Sequence, residues 1–176
     1  MKKVEVRISG LGGQGVVLAG QILGRAAVYD GKNAVQTQSY GAEARGSAAQ
    51  SEVVISDGKI GFPIVRKCDI LVAMSQEAVE KNIKDLKENG ILLVDSNTVK
   101  KIPETKASIF KIPATEIAEK MFKAKIYVNM IMLGALTNIT KIANEKSFTR
   151  AIKETVSKEI VNTNLRAYKK GVTLTA

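Results

Sequence analysis

Two clusters in the first third of the sequence have residue types and spacing suited to holding a charged ligand. The first, Ser9-Gly10-Leu11-Gly12-Gly13-Gln14-Gly15, contains the G-x-G-x-x-G spacing at Gly10, Gly12 and Gly15. That spacing gains meaning when it follows a strand and opens a helix, and the flanking residues here predict both. Gly10 permits a tight turn, Gly12 lets a phosphate approach the backbone, and Gly15 lets the helix lie close to the strand. The extra Gly13 widens the cradle. Backbone N–H groups and the helix dipole then favour an anion at that point. The same glycines also suit a simpler purpose, tight strand–helix packing with no ligand.

The second cluster is Gln38-Ser39-Tyr40-Gly41-Ala42-Glu43-Ala44-Arg45-Gly46. It follows an expected second strand, and its place at that strand's carboxyl end puts it beside the glycine turn, where α/β sheets bind ligands. Tyr40 can stack, Arg45 can grip a carboxylate or phosphate as a fork, and Gly41 and Gly46 permit unusual backbone angles. The plainer alternative is that Glu43 and Arg45 are ordinary loop charges and that Tyr40 packs locally. A nicotinamide dinucleotide would require an acid at the end of the second strand for its ribose. That strand ends Val35-Gln36-Thr37-Gln38-Ser39 without one, Asp30 closes the preceding helix instead, and Glu43 lies beyond, in the loop. No Gly-Lys-Ser/Thr follows the turn, so it is no P-loop.

Composition removes whole classes of chemistry. The chain has no histidine and one cysteine, Cys68. Serine and cysteine triads, imidazole metal sites, an internal disulfide and a self-contained iron–sulfur cluster all fall away. No metal site is expected, and this chain alone is expected to hold no catalytic residue. Cys68, at the start of an apolar run, reads as a small buried hydrophobe, with a reactive thiol beside Arg66 and Lys67 as the alternative. The net charge of +10 suits a solvated surface, an anionic nucleotide or an acidic partner. Aromatics are 5% of residues and no RNA-binding motif or zinc finger occurs, which disfavours nucleic acid. The opening residues are too polar for a signal peptide, and residues 126–136 are too short to span a bilayer. A cytoplasmic protein with no membrane association is the expectation.

The elements needed to position the clusters are legible from periodicity. Residues 4–8 predict a strand, 13–29 a helix with Val16, Ala19, Leu23, Ala26 and Ala27 on its apolar side, and 33–38 a second strand. Residues 52–56 form a β-rich run closed by Asp57-Gly58. Residues 69–73 and 91–95 are apolar strands flanking a helix expected over 76–89, capped by Ser75 and stopped by Gly90, in a right-handed βαβ unit. A weaker strand is expected at 108–112, a short helix capped by Thr115 and running to Phe122, and another helix over 128–141. One long amphipathic helix is expected over 147–168, its stripe running through Phe148, Ile152, Val156, Ile160 and Leu165. From Lys141 to Lys170 eight Lys/Arg stand against three Glu, a solvated face or a dock for an acidic surface. At 176 residues with no dividing linker, the expected fold is α/β: a single Rossmann-like domain over 1–176, with a mostly parallel sheet and helices on both faces.

On these residues the chain resembles the gamma subunit of 2-oxoacid:ferredoxin oxidoreductases. The matching segments are 10–24 and 38–46, then 52–57, 68–74, 91–95 and 129–136, in order along most of the chain. The wording from Ser39 to Gly46 is closer to the 2-oxoglutarate branch than to the pyruvate branch. Ser47 departs from the family, which has a second glycine there. The resemblance implies a subunit of an enzyme converting a 2-oxoacid, coenzyme A and oxidised ferredoxin to an acyl-CoA, carbon dioxide and reduced ferredoxin. It implies thiamine diphosphate and iron–sulfur clusters in partner subunits (alpha, beta and a ferredoxin-like delta), with the gamma chain closing over the active site and associated with coenzyme A. Carried onto this sequence, the candidate binding residues are Gly10, Gly12, Gly13, Gln14, Gly15, Ser39, Tyr40, Glu43, Arg45, Gly46 and Asn129, the last with a helix cap as its alternative. A free-standing nucleotide-binding reductase or sensor is the competing reading, and a basic nucleic-acid-binding module a third.

Overall fold

A computed structural model describes residues 2–42 and 46–174. Its centre is a six-stranded sheet in the order β2-β3-β1-β4-β5-β6, formed by β1 Lys3–Leu11, β2 Asn33–Tyr40, β3 Ala48–Ser56, β4 Cys68–Ala73, β5 Leu86–Asp95 and β6 Ser108–Ile112. β1, β4, β5 and β6 pair in parallel, whereas β3 runs antiparallel between β1 and β2. The second strand is therefore not a neighbour of the first. A hairpin places β3 between them, and Leu11, the last residue of β1, pairs with Ala48, the first of β3.

Six helices, α1 Val16–Tyr29, α2 Gln76–Asn82, α3 Ala114–Phe122, α4 Val128–Thr140, α5 Glu145–Thr155 and α6 Val161–Thr173, cover the sheet unequally. One apolar core joins Val6, Ile8, Val72 and Leu93 of the sheet to α1, α3, α4, α5 and α6. The opposite face packs Val54, Leu71, Leu92 and Val94 against α2 and loop residues such as Val65 and Val99. Two-sided burial explains why residues 70–73 of β4 and 91–94 of β5 are apolar throughout. The apolar residues expected for α1 are all buried.

Strands β1, β2, β3 and β5 run longer than expected, and three further differences have a clear local reason. The first helix begins at Val16 rather than at 13, because Gly13 and Gly15 both have positive φ (88° and 71°) and cannot be helical. α2, capped by Ser75 Oγ as expected, stops at Asn82 and passes through one 3-10 turn into β5. Gly90 is inside that strand: a Cβ there would press on the carbonyls of Asp69 and Lys87, beside a register shift between Cys68 and Ile70. Finally, the long helix over 147–168 is two helices. Val156 is extended (φ −97°, ψ 156°) and ends α5, so α5 packs on α1 while α6 turns to pack on α4.

The turn between α5 and α6 allows a close helix crossing. A Cβ on Gly134 would strike the backbone of Tyr168 and Gly171, and one on Gly171 would strike Ile131. Tyr168 is buried there, stacked on Phe148 and donating to Thr137 Oγ1 at 3.1 Å. Asn144 caps α5, and its backbone and side-chain N–H groups donate to Asp30 at the end of α1; Ser147 Oγ bonds the same carboxylate.

Candidate functional site

At the carboxyl ends of β1 and β4, Gln14 holds the glycine turn shut. Its Oε1 accepts the Leu11 N–H at 2.6 Å and its Nε2 donates to the Met74 carbonyl at 3.0 Å, bridging the two strands. Thr98 Oγ1 donates to the same carbonyl at 3.1 Å. A Cβ on Gly10 would collide with the Gln14 carboxamide, so glycine stands there to admit a side chain of the turn itself. The Gly12 N–H donates to Ser47 O at 2.8 Å and the Gln14 N–H to Leu11 O at 3.1 Å. The amides of Gly12 and Gln14, both expected to cradle a phosphate, are thus engaged within the protein, as is that of Leu11. The bond to Ser47 also ties the second loop to the first, at the position where the family pattern has glycine.

The amides left to face a ligand are those of Gly13 and Gly15 and, one step further on, the first of α1. Val16, Val17 and Leu18 open α1, and no acceptor for their N–H groups occurs among the described residues. Gly15 provides no side-chain cap, and the first turn holds no acidic residue. The positive end of the helix is therefore uncompensated, which suits an anion.

These amides lie along a groove of about 370 Å³. Gly12, Gly13, Gly15, Tyr40 and Asn129, all expected from sequence, line it together with Val16, Val17 and Leu18. Gly10 and Gln14 do not line it; they fix the turn from behind. Ser39 is exposed on β2 and Gly46, with φ 64°, is in the loop; neither lines the groove. Glu43 and Arg45 lie outside the described residues.

Asn129, 2% exposed, is fully engaged: its Nδ2 donates to Gly15 O at 3.2 Å and its Oδ1 accepts the Met130 N–H at 2.8 Å. It is not the helix cap, since α4 begins at Val128 after Tyr127; it accepts the next N–H of its own helix and locks α4 to the turn. A Cβ on Gly15 would run into this carboxamide. Asp30, the acid nearest the count for a ribose, is held by Asn144 and Ser147 at the far end of α1.

Sequence reasoning did not find the groove's other walls. Ile126 and Tyr127 come from the turn before α4, Ile160 from the joint between α5 and α6, and Asn164 from the first turn of α6. Spacing gives no sign of them, because tertiary packing alone brings them to the glycine turn. The one hint is that Ile126 and Ile160 are large apolar residues standing among charged ones. At the rim, Tyr40 is 62%, Ile126 59% and Ile160 39% exposed.

Elsewhere, a buried ion cluster anchors β1. Arg7 contacts Glu52 at 2.7 Å and Asp85 at 2.9 Å and donates to Val65 O and Asn82 Oδ1. Burial pulls its pKa down, but hydrogen bonds to Asp85 and Glu52 more than reverse this and leave it raised. Cys68 is fully buried, and that burial pushes its thiol up to about 11. A thiol so protonated is unreactive at neutral pH, in keeping with the structural reading.

Residues 5–174 match the family model described as pyruvate ferredoxin/flavodoxin oxidoreductase. The 2-oxoglutarate synthase subunit KorC of Methanocaldococcus jannaschii is 54% identical over 170 residues, covering 95% of this chain and 91% of that one. The solved gamma subunit of a keto/oxoacid ferredoxin oxidoreductase from Geobacter sulfurreducens PCA has a TM-score of 0.85 at 42% identity, covering 96% of this chain and 95% of its own. The 2-oxoglutarate:ferredoxin oxidoreductase of Magnetococcus marinus, solved with 2-oxoglutarate, coenzyme A and succinyl-CoA bound, gives 0.88 at 26% identity. That match covers 99% of this chain and 31% of the longer one.

Proposed function

The chain belongs to the pyruvate ferredoxin/flavodoxin oxidoreductase family, and on that premise we propose that it is the gamma subunit of a 2-oxoglutarate:ferredoxin oxidoreductase, with its groove forming part of the coenzyme A site. The overall reaction joins 2-oxoglutarate and coenzyme A, releases carbon dioxide, and passes two electrons to ferredoxin, leaving succinyl-CoA. The observation that carries the coenzyme A role is the convergence of Gly12, Gly13, Gly15 and Tyr40 with the open amides of α1 on one groove. A diphosphate suits the helix N-terminus, and the apolar walls suit the uncharged parts of the same molecule. Thiamine diphosphate and the iron–sulfur clusters, held by alpha, beta and delta partners, would supply the decarboxylation and electron transfer.

The contribution of this chain is to bind and orient. Gln14 and Asn129 fix the turn, the first amides of α1 hold an anion, and Tyr40 with Ile126 and Ile160 excludes water as partners close over the rim. Glu43 and Arg45 belong to the same proposed site. We read residues 1–176 as one domain working in the cytoplasm; no helix among the described residues is long and apolar enough to cross a membrane. A free-standing nucleotide-binding reductase is not favoured, since the relatives that match along nearly their whole length are subunits of oxidoreductases.

Retrieving the chain from its native cells and weighing the complex tests this reading, followed by assay with a panel of 2-oxoacids. The expected result is three companion chains and coenzyme A-dependent turnover that prefers 2-oxoglutarate. A chain recovered alone would overturn the subunit role, and a preference for pyruvate would overturn the substrate.

A further inference from the structure

Asn164, in the first turn of α6 and lining the same groove as the glycine turn, has an unusual hydrogen-bond balance. It is 4% exposed, yet it lines the groove. Its Nδ2 donates to Ile160 O at 2.9 Å, alongside its own backbone N–H at 3.0 Å. A carbonyl can only accept, so Ile160 dictates that the carboxamide turns its NH₂ toward the helix and its oxygen away. No donor to that Oδ1 occurs among the described residues, although every fully buried side-chain nitrogen or oxygen among them has a partner. The oxygen is therefore an atom open to the groove, of fixed polarity, on an otherwise buried residue.

We propose that Asn164 is a specificity-determining residue whose Oδ1 accepts a hydrogen bond from an N–H or O–H of the ligand in the groove. This rests on the reading that coenzyme A occupies it. The groove then combines opposite polarities from two helices: amide donors at the start of α1 for an anionic group, and one acceptor on α6 for a neutral donor. Coenzyme A carries both kinds of group, since its diphosphate only accepts while its pantetheine amides, adenine amino group and ribose hydroxyl donate. Asn129 cannot take this role, because both ends of its carboxamide are already engaged. A buried acceptor left without a donor is costly, so Asn164 selects ligands that bring one.

The test uses the complex assembled with Asn164→Leu, an apolar side chain of similar size, and with Asn164→Thr, whose hydroxyl can donate to Ile160 O and still accept from a ligand. The Leu variant is expected to raise the coenzyme A KM about tenfold with kcat and the 2-oxoacid KM unchanged, and the Thr variant to raise it less than about threefold. Inhibition by pantetheine and by adenosine 3′,5′-bisphosphate, compared between wild type and Asn164→Leu, identifies the donor by which fragment weakens. A Leu variant that lowers kcat and raises all KM values alike, or a Thr variant as impaired as Leu, would overturn the proposal in favour of a packing role. Tyr40→Ala separates the two readings. If it raises the coenzyme A KM while Asn164→Leu does not, only the role of Asn164 fails; if neither does, coenzyme A is not in the groove.

Discussion

The carboxamide of Gln14 occupies the space into which a Cβ on Gly10 would project, and from there it bonds Leu11 and Met74. The first glycine of the turn is thus matched to a side chain of the turn rather than to a nucleotide. Gly10→Ala should displace Gln14, so the two positions are energetically coupled. We expect Gln14→Ala to cost about 1–2 kcal/mol, and a Gly10→Ala/Gln14→Ala cycle to show at least about 0.5 kcal/mol of non-additivity in urea unfolding. Additive single effects would mean that Gln14 does not pin the turn.

The crossing of α4 and α6 rests on two glycines without room for a methyl group. Gly134→Ala would push a Cβ into the backbone of Tyr168 and Gly171, and backbone cannot yield as a flexible side chain can. We expect a loss of about 1–3 kcal/mol or more, visible as a lower Tm. The same substitution at Gly31, with nothing near its absent Cβ but a φ of 77°, should cost only the strain of its backbone, about 1 kcal/mol. Equal effects at the two sites would contradict the close crossing.

Arg7 neutralises Glu52 and Asp85, and removing it leaves the largely buried Glu52 without its partner while Asp85, about a third exposed, keeps access to water. Arg7→Met should destabilise by about 3–5 kcal/mol, and adding Glu52→Gln and Asp85→Asn should return part of that loss. Urea midpoints for the single and triple variants decide it. A single variant within about 1 kcal/mol of wild type would show the cluster to be dispensable.

The sequence displayed these elements unevenly, for physical reasons. β1, α1, β4 and the end of β5 were legible because local pattern and tertiary burial agree there. The insertion of β3 between β1 and β2 was not, since Val53 and Val54 read as a β-rich run whichever neighbour they have. Gly90 gave the signal of a helix stop, but its missing Cβ makes room for the Asp69 carbonyl in the sheet. The stripe from Phe148 to Leu165 passes through Val156 in helical register, so the break there is set by where α4 lies and not by the stripe. Within the site, Gly12, Gly13, Gly15 and Tyr40 announced themselves by residue type. Ile160 and Asn164 reach the groove only because the α5–α6 joint turns, which no spacing could reveal.

The Cys68 thiol gives a pH test of the core. Burial pushes it up to about 11 from an ordinary value of 9.0. Above about pH 9 the unfolded chain releases this proton while the folded chain keeps it, so this group's contribution to stability is full below that pH and declines towards about pH 11. The stability difference between wild type and Cys68→Ala should therefore shrink over that window, as read from urea midpoints. A difference independent of pH would place the thiol in contact with water. Native protein at about pH 8 should also resist alkylation of Cys68 until it is unfolded.

Hydrogen–deuterium exchange in the assembled complex, with and without coenzyme A, probes the groove most directly. The open amides of Val16, Val17 and Leu18 should become protected when coenzyme A saturates the enzyme, while the far end of α1 near Asp30 stays unchanged. Unaltered exchange at Val16–Leu18 in a complex that is turning over with saturating coenzyme A would contradict the assignment of this groove to that ligand.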